Sequence, residues 1–540
     1  MGFLLHHSID DSAARDPAHE AYRFDGAGLT YEQLVRQANQ LANVLIDEGV
    51  RPGDRVGIFM HKGLDLPVAI YGILKAGAAY VPIDPATPTD RIEFIARDCG
   101  LRHLMTGASR ARQTAELVDR DVGIHSVIGA AGAGTSSRCR FIQWQEIGTA
   151  DARTPRARVT EQDLAYIMYT SGSTGAPKGL MHTHGSGLSY ARLSARTYDV
   201  GPDDRLGNHS PLHFDMSTFE YLTGPLCGAV GVIISEETTM FPVSVAELIE
   251  RERLTFWYSV PLALVQLVTS GEVERRDARS LRWVLFGGEP FPPKYLWALM
   301  DRWPNARFSN VYGPAETNQC TYYHLPAHDK GSTDPIPIGK VWDNAEGLIV
   351  DTDDAVVPTG TSGELLIRAP TMMMGYWGRQ DLNRTAFFDQ EPFPGFRKRF
   401  YRTGDLVRER EDGHLLFLGR KDRQIKIRGY RVELDEVENV IGGFEDVVEA
   451  AVIAVRHTDE SLDIVAAVRL REGGAAEPEE LRRRASGRLP PYAVPGRIDI
   501  REEFPRTGSG KIDRRALAMM YQSGGAPGAA DATDPLREAR

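Results

Sequence analysis

The chain has 540 residues, and its 63 basic and 74 acidic side chains give a formal net charge of −11. Hydrophobic residues make up 42% of the sequence and charged residues 25%, as is usual for globular proteins that bury large cores. The acidic balance argues against a nucleic-acid partner, and no apolar run reaches the roughly 20 residues of a membrane span.

The first third of the sequence alternates helical and strand patterns. Residues 30–49 open on a capping threonine and repeat apolar residues at helical spacing, and residues 66–76 predict a second helix. Residues 55–60 and 79–83 are short apolar runs that predict buried strands. This alternation predicts an α/β protein with largely parallel sheets. Residues 129–137, rich in glycine and serine, predict a surface loop.

The predicted secondary structure changes twice in the later part of the chain. A second α/β stretch covers residues 164–325, and a β-rich stretch covers 336–418. A module of about 90 residues follows, with a helix predicted over 433–441 and a strand over 447–455. We therefore expect a large domain over residues 1–419, a small domain over 420–515 and a disordered tail over 516–540.

Cysteine use and the N-terminal sequence predict a cytoplasmic protein. The four cysteines stand far apart without a CxxC pair, which favours free thiols in a reducing compartment. The first residues, MGFLLHHSIDDSAARD, hold only a short apolar stretch, unlike a secretory signal.

The strongest local motif is YTSGSTGAPKG at residues 169–179, which follows the apolar segment Leu164–Met168. Glycines let the backbone curl, amides and hydroxyls can face phosphate oxygens, and Lys178 adds a positive charge. Pro177 stands where the common G-x-x-x-x-G-K loop has its second glycine. The segment therefore predicts a phosphate-binding loop of another kind.

This loop resembles that of the adenylate-forming superfamily, which includes acyl-CoA synthetases, luciferases and peptide-synthetase adenylation domains. Other motifs of the superfamily occur in order: LTYEQL at 29–34, LKAGAAYVPID at 74–84, FDMS at 214–217, NVYGPAET at 310–317, GELLI at 363–367, YRTGDL at 401–406, GRKDRQIKIRGYRVE at 419–433, LPPYAVP at 489–495 and GSGKIDR at 508–514. The resemblance implies an α/β adenylate-forming fold. Its large N-terminal domain would have three subdomains, one of them β-rich, and its small α+β C-terminal domain would be mobile.

The resemblance also implies an ATP site with Mg²⁺. Lys511, Thr170 and Lys178 match catalytic positions, and a cation at Lys511 can stabilise charge that builds on the α-phosphorus. Tyr312 matches the aromatic residue that stacks on adenine, and Glu316 matches the Mg²⁺ contact. The other ATP positions are Ser171, Gly172, Ser173, Thr174, Gly175, Gly288, Glu289, Asn310, Gly313, Thr317, Asp405 at the ribose and Arg420 near the ribose and phosphates, with Asp422 at the hinge.

Asp215 separates the branches of the superfamily. Amino-acid-activating members carry aspartate in the FDxS motif, where it pairs with the substrate ammonium, because a buried carboxylate is costly without a cation. The remaining pocket positions implied by the resemblance are Met216, Phe219, Tyr258, Leu285, Gly287, Val311, Gln319 and Cys320. None carries a formal charge, so we expect a compact, mostly apolar amino acid as substrate.

The sequence leaves two classes of amino-acid substrate as alternatives. Tyr258, Leu285, Cys320 and Lys511 resemble prolyl–carrier ligases, although Gly287 and Gln319 depart from that pattern. The segments HSPLHFDMSTFEYLTGPLCGA, LTFWYSVP and LRWVLFGGEPFPPK instead resemble freestanding ligases for β-amino acids.

We expect a freestanding ligase, since only 26 residues follow GSGKIDR, too few for a carrier-protein domain. It would convert an amino acid and ATP into aminoacyl-AMP and pyrophosphate. It would then load the phosphopantetheine thiol of a separate carrier protein in natural-product biosynthesis. The alternatives are an acyl-CoA ligase of the same superfamily and a non-catalytic nucleotide-binding homologue.

Two other features are interpreted as structural. His182 and His184 alternate like metal ligands but lack a third ligand at metal spacing. Cys320, in an apolar and aromatic stretch, is interpreted as a wall of the pocket and not as a nucleophile.

Overall fold

A computed structural model describes residues 2–130, 139–172, 176–326, 332–456, 462–471, 474, 476–507 and 511–522. The chain divides into two compact units. The first comprises Met1–Thr170 and Pro177–Asp422, and the second comprises Ser171–Ala176 and Arg423–Arg540. Within the described residues, no helix is long and apolar enough to cross a bilayer. Most of the loop predicted over 129–137 lies outside the described residues.

The first unit contains an eight-stranded sheet of largely parallel strands. The strand ending at Thr170 pairs antiparallel with the one that begins at Lys178, so the predicted phosphate loop connects two neighbouring strands. In spatial order the strands are Gly375–Tyr376, Lys178–Thr183, Leu164–Thr170, Ala79–Pro82, Arg55–Phe59, His103–Thr106, Ser126–Ile128 and Arg140–Ile142.

A nine-stranded sheet in the same unit has a parallel centre and antiparallel edges. In spatial order its strands are Lys340–Val341, Thr321–His324, Arg307–Tyr312, Trp283–Gly287, Phe256–Ser259, Arg205–Asn208, Val230–Ile233, Glu20–Phe24 and Ala27–Thr30. Ligands of parallel α/β sheets bind beyond the carboxyl ends of the strands. Residues that follow these strands are therefore candidates for a site.

The third sheet of the first unit is the predicted β-rich part. It is five-stranded and antiparallel, with Glu346–Val350, Ser362–Arg368, Phe396–Glu409 and Phe387–Phe393 in order and Leu415–Arg420 paired to Phe396–Glu409. With two α/β sheets and this β-rich sheet, the mixed α/β fold class predicted from the sequence is confirmed.

Helices cover the α/β sheets of the first unit. The helix Tyr31–Asp47 begins as predicted on Thr30, whose hydroxyl accepts from Gln33 N (3.2 Å) while Gln33 Oε1 accepts from Thr30 N (2.9 Å). The other α-helices are His7–Arg15, Asp65–Lys75, Thr89–Cys99, Ala111–Asp119, Trp144–Gly148, His184–Tyr198, Gly224–Cys227, Glu236–Thr239, Pro242–Arg251, Pro261–Thr269, Pro293–Arg302 and Gln380–Ala386. Short 3₁₀ segments occur at Ala108–Arg110, Asp215–Ser217 and Glu272–Glu274, and a π-helix at Phe219–Thr223.

The second unit is a small α+β body. Its strands are Gln424–Ile427 and Tyr430–Glu433 in one hairpin, and Val447–Arg456, Leu462–Leu470 and Arg497–Ile500 in one sheet. Its helices are Leu434–Gly442, Pro478–Ser486 and Arg514–Gln522, with a 3₁₀ turn at Pro491–Ala493.

The end of the second unit corrects a prediction. The sequence predicts a disordered tail from residue 516, but Arg514–Gln522 forms a helix. Its Leu517 side chain is completely buried in one cluster with Ile453, Val465 and Phe504. Burial of this apolar side chain stabilises the helix, a contribution that composition alone does not show. Residues 523–540 lie outside the described part of the chain.

Candidate active site

Most of the predicted site residues of the first unit lie at or just beyond the ends of strands. Thr170 ends the strand Leu164–Thr170, and Gly288 and Glu289 follow the strand Trp283–Gly287. Tyr312 ends Arg307–Tyr312, and Gly313, Glu316 and Thr317 follow it directly. The topology thus brings segments that are distant in sequence to the edge where α/β sheets bind ligands.

Lys178 and Glu316 form the charged centre of this region. The Lys178 ammonium lies 3.8 Å from Glu316 Oε1, and the Glu316 side chain is completely buried. The Tyr376 hydroxyl donates to the same carboxylate oxygen (2.9 Å) and accepts from Lys178 (3.5 Å), whose ammonium lies 4.7 Å from the centre of the Tyr376 ring. The Tyr401 hydroxyl lies 3.3 Å from that of Tyr376. We call Lys178, Glu316, Tyr376 and Tyr401 the lysine–glutamate cluster.

Backbone contacts fix the turn that carries Glu316. Met373 N donates to the carbonyl of Glu316 (2.7 Å), and His182 Nε2 donates to the carbonyl of Ala315 (3.0 Å). Burial lowers the pKa of His182 to about 4, so the imidazole is neutral at pH 7. His182 therefore supports the turn and does not add charge to the cluster.

The start of that turn needs glycine. A Cβ on Gly313 would lie 1.7 Å from the carbonyl oxygen of Asn318, so the two backbone segments approach too closely for a side chain. Asn310 Nδ2 donates to the carbonyl of Pro337 (2.8 Å), and Thr317 Oγ1 donates to the carbonyl of Pro314 (3.2 Å). The predicted ATP residues Gly313 and Thr317 thus shape one compact turn, and Asn310 ties the preceding strand to Pro337.

A second hydrogen-bond network links Tyr312 to Arg420 through Asp405. The Tyr312 hydroxyl donates to Asp405 Oδ2, and Arg420 donates to Asp405 Oδ1 (2.5 Å). Arg420 also makes two hydrogen bonds to Asp422, both 2.7 Å. Burial and the adjacent Asp405 carboxylate raise the pKa of Tyr312 well above its usual value, which keeps its hydroxyl protonated. Tyr312, Asp405 and Arg420, the three residues predicted to contact adenine and ribose, therefore lie next to one another in the first unit.

The predicted phosphate loop is described in part. Thr170 and Lys178 face each other as strand partners, and the buried Thr170 hydroxyl has no hydrogen-bond partner among the described residues. Ser171 and Gly172 belong to the second unit, in which Ser171 Oγ donates to the carbonyl of Arg431 (2.9 Å). The remaining predicted positions, Ser173, Thr174 and Gly175, lie outside the described residues.

An unsatisfied hydroxyl beside a buried lysine fits a phosphate, because phosphate oxygens accept hydrogen bonds and carry negative charge. Glu316 supplies a hard carboxylate oxygen next to that position, which suits a Mg²⁺ that takes its other ligands from phosphates and water. Among the residues the structure describes, no group of three His, Cys, Asp or Glu side chains is placed to hold a metal by itself.

The predicted amino-acid pocket residues share one buried cluster. Met216, Phe219, Tyr258, Leu285 and Val311 all belong to it, and the rings of Phe219 and Tyr258 meet edge to face at 5.9 Å. These side chains come from the turn at 215–219 and from three neighbouring parallel strands. They form one apolar cluster, and its role as the wall of an amino-acid pocket stays a prediction.

Asp215 lies on the 3₁₀ turn Asp215–Ser217 beside this wall. It is half-buried, and its Oδ1 accepts from Met216 N (3.0 Å). Burial raises the pKa of Tyr258, and the neighbouring Tyr190 and Asp215 add to that rise. Asp215 thus lies next to Met216 on this turn, and its role as the partner of a substrate ammonium stays a prediction.

Gly287 and Cys320, two of the predicted pocket positions, lie in closely packed surroundings. A Cβ on Gly287 would lie 2.1 Å from the carbonyl oxygen of Val311 on the adjacent strand. Cys320 is completely buried with Ile338 and Leu365, and burial raises the pKa of its thiol to about 12. A thiol with that pKa is not a nucleophile at neutral pH.

Lys511 and Asp422 lie in different units. Lys511 is an exposed residue of the second unit, and its carbonyl accepts from Thr507 N (2.8 Å). Asp422 is the last residue of the continuous segment that ends the first unit.

The structure adds residues that the motifs did not single out. Tyr376 and Tyr401 complete the lysine–glutamate cluster, and the buried Glu364 accepts from Gly404 N (3.2 Å) next to Asp405. A signal existed for Tyr401, which opens the YRTGDL motif, whereas Tyr376 stands outside every motif used. His182 was noted only as a rejected metal ligand, and its contact with Ala315 has no sequence signal.

Comparisons with known proteins agree with this geometry. The sequence pattern of AMP-binding enzymes matches residues 9–377, and that of the AMP-binding enzyme C-terminal domain matches residues 436–511. The L-proline–(L-prolyl-carrier protein) ligase of Pseudomonas fluorescens is 33% identical over 96% of this chain and 99% of its own length. The corresponding ligase of Streptomyces coelicolor is 36% identical over 94% and 95%. The crystal structure of the Vibrio cholerae adenylation domain AlmE in complex with glycyl-adenosine-5′-phosphate matches with a TM-score of 0.84 at 25% identity, over 96% of this chain and 98% of that one.

Proposed function

The chain belongs to the AMP-binding enzyme family, and from this premise we propose that it activates a small amino acid with ATP and loads it onto a carrier protein. The resemblance to adenylate-forming enzymes predicted from the motifs is confirmed by that membership. The observation that carries the proposal is the lysine–glutamate cluster beside the Thr170 hydroxyl, which has no hydrogen-bond partner among the described residues.

In the first half-reaction, a carboxylate oxygen of the amino acid attacks the α-phosphorus of ATP. A bond forms between that oxygen and phosphorus, and the bond from the α-phosphorus to the bridging oxygen of pyrophosphate breaks. Lys178 and the Thr170 hydroxyl are proposed to bind phosphate oxygens, and Lys511 is proposed to stabilise the charge that develops at the α-phosphorus. Tyr312, Asp405 and Arg420 are proposed to hold the adenosine.

In the second half-reaction, the phosphopantetheine thiol of a carrier protein loses its proton to solvent and attacks the acyl carbon. A carbon–sulfur bond forms, and AMP leaves with the electrons of the carbon–oxygen bond that breaks. The carrier protein is inferred from two relatives, both named as prolyl-carrier ligases. Proline-like and β-amino acids both remain candidate substrates, and Asp215 is proposed to bind their ammonium group.

Mg²⁺ is proposed as the cofactor, with Glu316 as its protein ligand. Bound there, it would neutralise negative charge on the phosphates. Tyr376 keeps the Glu316 carboxylate in place by donating to Oε1, so one oxygen of that carboxylate is already oriented (2.9 Å).

ATP–pyrophosphate exchange across a panel of acids tests the proposal. The panel holds proline, alanine, other small α-amino acids, several β-amino acids, and the deaminated counterparts of each. We expect strong exchange with one amino acid and only weak exchange with its deaminated counterpart. Exchange with deaminated acids alone would make the protein an acyl-CoA ligase, and ATP binding without exchange would make it a non-catalytic homologue.

The substitution Tyr376→Phe tests the lysine–glutamate cluster. It removes the hydroxyl that Glu316 and Lys178 share but keeps the ring next to the ammonium. Since hydrogen bonds to charged groups contribute about 1.5–3 kcal/mol, we expect kcat/KM for ATP to fall roughly 10- to 100-fold. The Mg²⁺ concentration needed for half-maximal exchange should rise as well.

Tyr295→Phe is the matched control for Tyr376→Phe, because Tyr295 lies on the helix Pro293–Arg302 and outside the cluster. Tyr295→Phe should change neither kcat/KM for ATP nor the Mg²⁺ concentration needed for half-maximal exchange. If Tyr376→Phe lowered only the melting temperature, the hydroxyl would have a structural role alone.

A further inference from the structure

Lys511 lies in one of two chain segments of the second unit that pair with each other. Thr507 N donates to the carbonyl of Lys511 (2.8 Å), and an antiparallel bridge joins Arg506 and Ile512, the next residues outward. The position of Lys511 therefore depends on what holds these two segments. We call them the Lys511 arms: residues 505–507 and residues 511–514.

The carboxylate of Glu438, on the helix Leu434–Gly442, holds the second Lys511 arm. Arg514 is the last residue of that arm and donates to both carboxylate oxygens, from Nε to Oε2 (3.2 Å) and from Nη2 to Oε1 (2.5 Å). A bidentate arginine–carboxylate pair fixes orientation as well as distance. Arg514 follows Lys511 by three residues, so the pair constrains the backbone next to the lysine.

Two other elements of the second unit bind the same carboxylate. Arg423 Nη2 donates to Glu438 Oε2 (3.1 Å), and Val452 N donates to the same oxygen (2.8 Å). Arg423 also donates to Asp435, so two guanidinium groups face two carboxylates. We call these four residues the Glu438 network: Arg423, Asp435, Glu438 and Arg514.

Glu438 is ionised in this network. Burial raises the pKa of its carboxyl group, but hydrogen bonds from Arg514 and Val452 N and the charge of Arg423 outweigh burial and hold the pKa below its usual value. At neutral pH Glu438 is therefore a carboxylate. A neutral side chain of the same shape would leave two neighbouring guanidinium groups with one acid, which weakens the hold on Arg514.

The first Lys511 arm has an anchor of its own. Arg506 Nη2 donates to both oxygens of Glu449 (2.8 and 2.9 Å), and Glu449 also accepts from Arg469 Nε (2.8 Å). Glu449 lies on the same strand as Val452. Since the two arms have separate anchors, the loss of one anchor should loosen the arms without releasing them.

We propose that Glu438 is a positioning residue, which acts through Arg514 to hold Lys511 in the geometry that adenylate formation needs. The inference rests on the proposed amino-acid activation, in which Lys511 stabilises charge at the α-phosphorus. Arg423 directly follows Asp422, the predicted hinge residue. A movement at that hinge would thus pass to the second Lys511 arm through the Glu438 carboxylate.

Glu438→Gln tests this inference, because it keeps the size of the side chain and removes its charge. We expect single-turnover formation of aminoacyl-AMP to slow about 10- to 100-fold, since a small misplacement of a group at the reacting centre can cost about 100-fold. Calorimetric titration should show ATP binding close to wild type, because Lys511 is proposed to act on the chemical step. Unchanged formation of aminoacyl-AMP in the folded variant would overturn the inference and leave amino-acid activation intact.

The double variant Glu438→Gln/Lys511→Ala shows whether Glu438 acts through Lys511. If it does, the double variant forms aminoacyl-AMP no more slowly than Lys511→Ala alone, because the group that Glu438 positions is already missing. Losses that multiply would overturn the inference, since Glu438 would then act independently of Lys511.

Glu480→Gln is the matched control, because Glu480 is an exposed acid on the helix Pro478–Ser486 of the same unit. It should form aminoacyl-AMP at the wild-type rate. Loss of structure in the second unit would also slow adenylate formation, so the melting temperature of Glu438→Gln has to stay close to wild type. If it does not, Arg514→Lys replaces it, since lysine keeps the charge but cannot form the bidentate pair.

The wild-type enzyme separates this inference from the proposed function. Exchange with no acid of the panel, with ATP still bound, would overturn the proposed function and this inference with it. Exchange in the wild type, together with slower aminoacyl-AMP formation in Glu438→Gln and no further loss in the double variant, is the result that we expect.

Discussion

Asp215→Ala is expected to lower kcat/KM for the preferred amino acid about 100- to 1000-fold. Removing one partner of a buried ion pair costs about 3–5 kcal/mol, because the remaining charge is left without compensation, and the half-buried position of Asp215 favours the lower part of that range. Under the proposed function, the remaining charge would be the ammonium of the substrate, next to the cluster that contains Met216, Phe219 and Tyr258. Exchange kinetics with the preferred amino acid measure the loss.

The deaminated counterpart of that amino acid is the internal control for Asp215→Ala. It has no ammonium, so the substitution should leave its activity unchanged or raise it. Asp215→Asn keeps the shape and the hydrogen bond from Met216 N (3.0 Å in the wild type) but removes the charge, and it should behave like Asp215→Ala. Equal losses for both acids would mean that Asp215 maintains the turn and does not select amino acids.

Lys511→Ala is expected to reduce adenylate formation about 100- to 1000-fold while ATP still binds. The loss of one preorganised charge contact to a transition state has effects of this size, and Lys178 remains to hold the phosphates in the ground state. Single-turnover formation of aminoacyl-AMP measures the chemical step, and calorimetric titration with ATP measures binding.

Arg515→Ala is the matched control, since Arg515 is also an exposed cation of the second unit, four residues from Lys511. Arg515→Ala should leave both the rate of aminoacyl-AMP formation and the affinity for ATP close to wild type. If Lys511→Ala weakened ATP binding as much as it slowed adenylate formation, Lys511 would have a binding role and not a catalytic one.

Local signals in the sequence predicted individual elements well. The helix predicted over 30–49 is Tyr31–Asp47, and the helix predicted over 433–441 is Leu434–Gly442. The first prediction rests on apolar spacing and on the capping residue Thr30. The prediction of a disordered tail is wrong for residues 516–522. The helix there depends on the burial of Leu517 against strands of the same unit, which the local sequence does not show.

The sequence by itself determined the family, the order of the motifs and the chemical type of each candidate site residue, because these are properties of residues in fixed order. Only the tertiary structure showed that Tyr376 joins Glu316 from 60 residues away and that Gln319 reaches Tyr198 across 121 residues. Contacts of this range depend on which strands pair and on where each strand ends. The structure therefore decided how the Glu316 carboxylate is held and which side chain the Gln319 amide contacts.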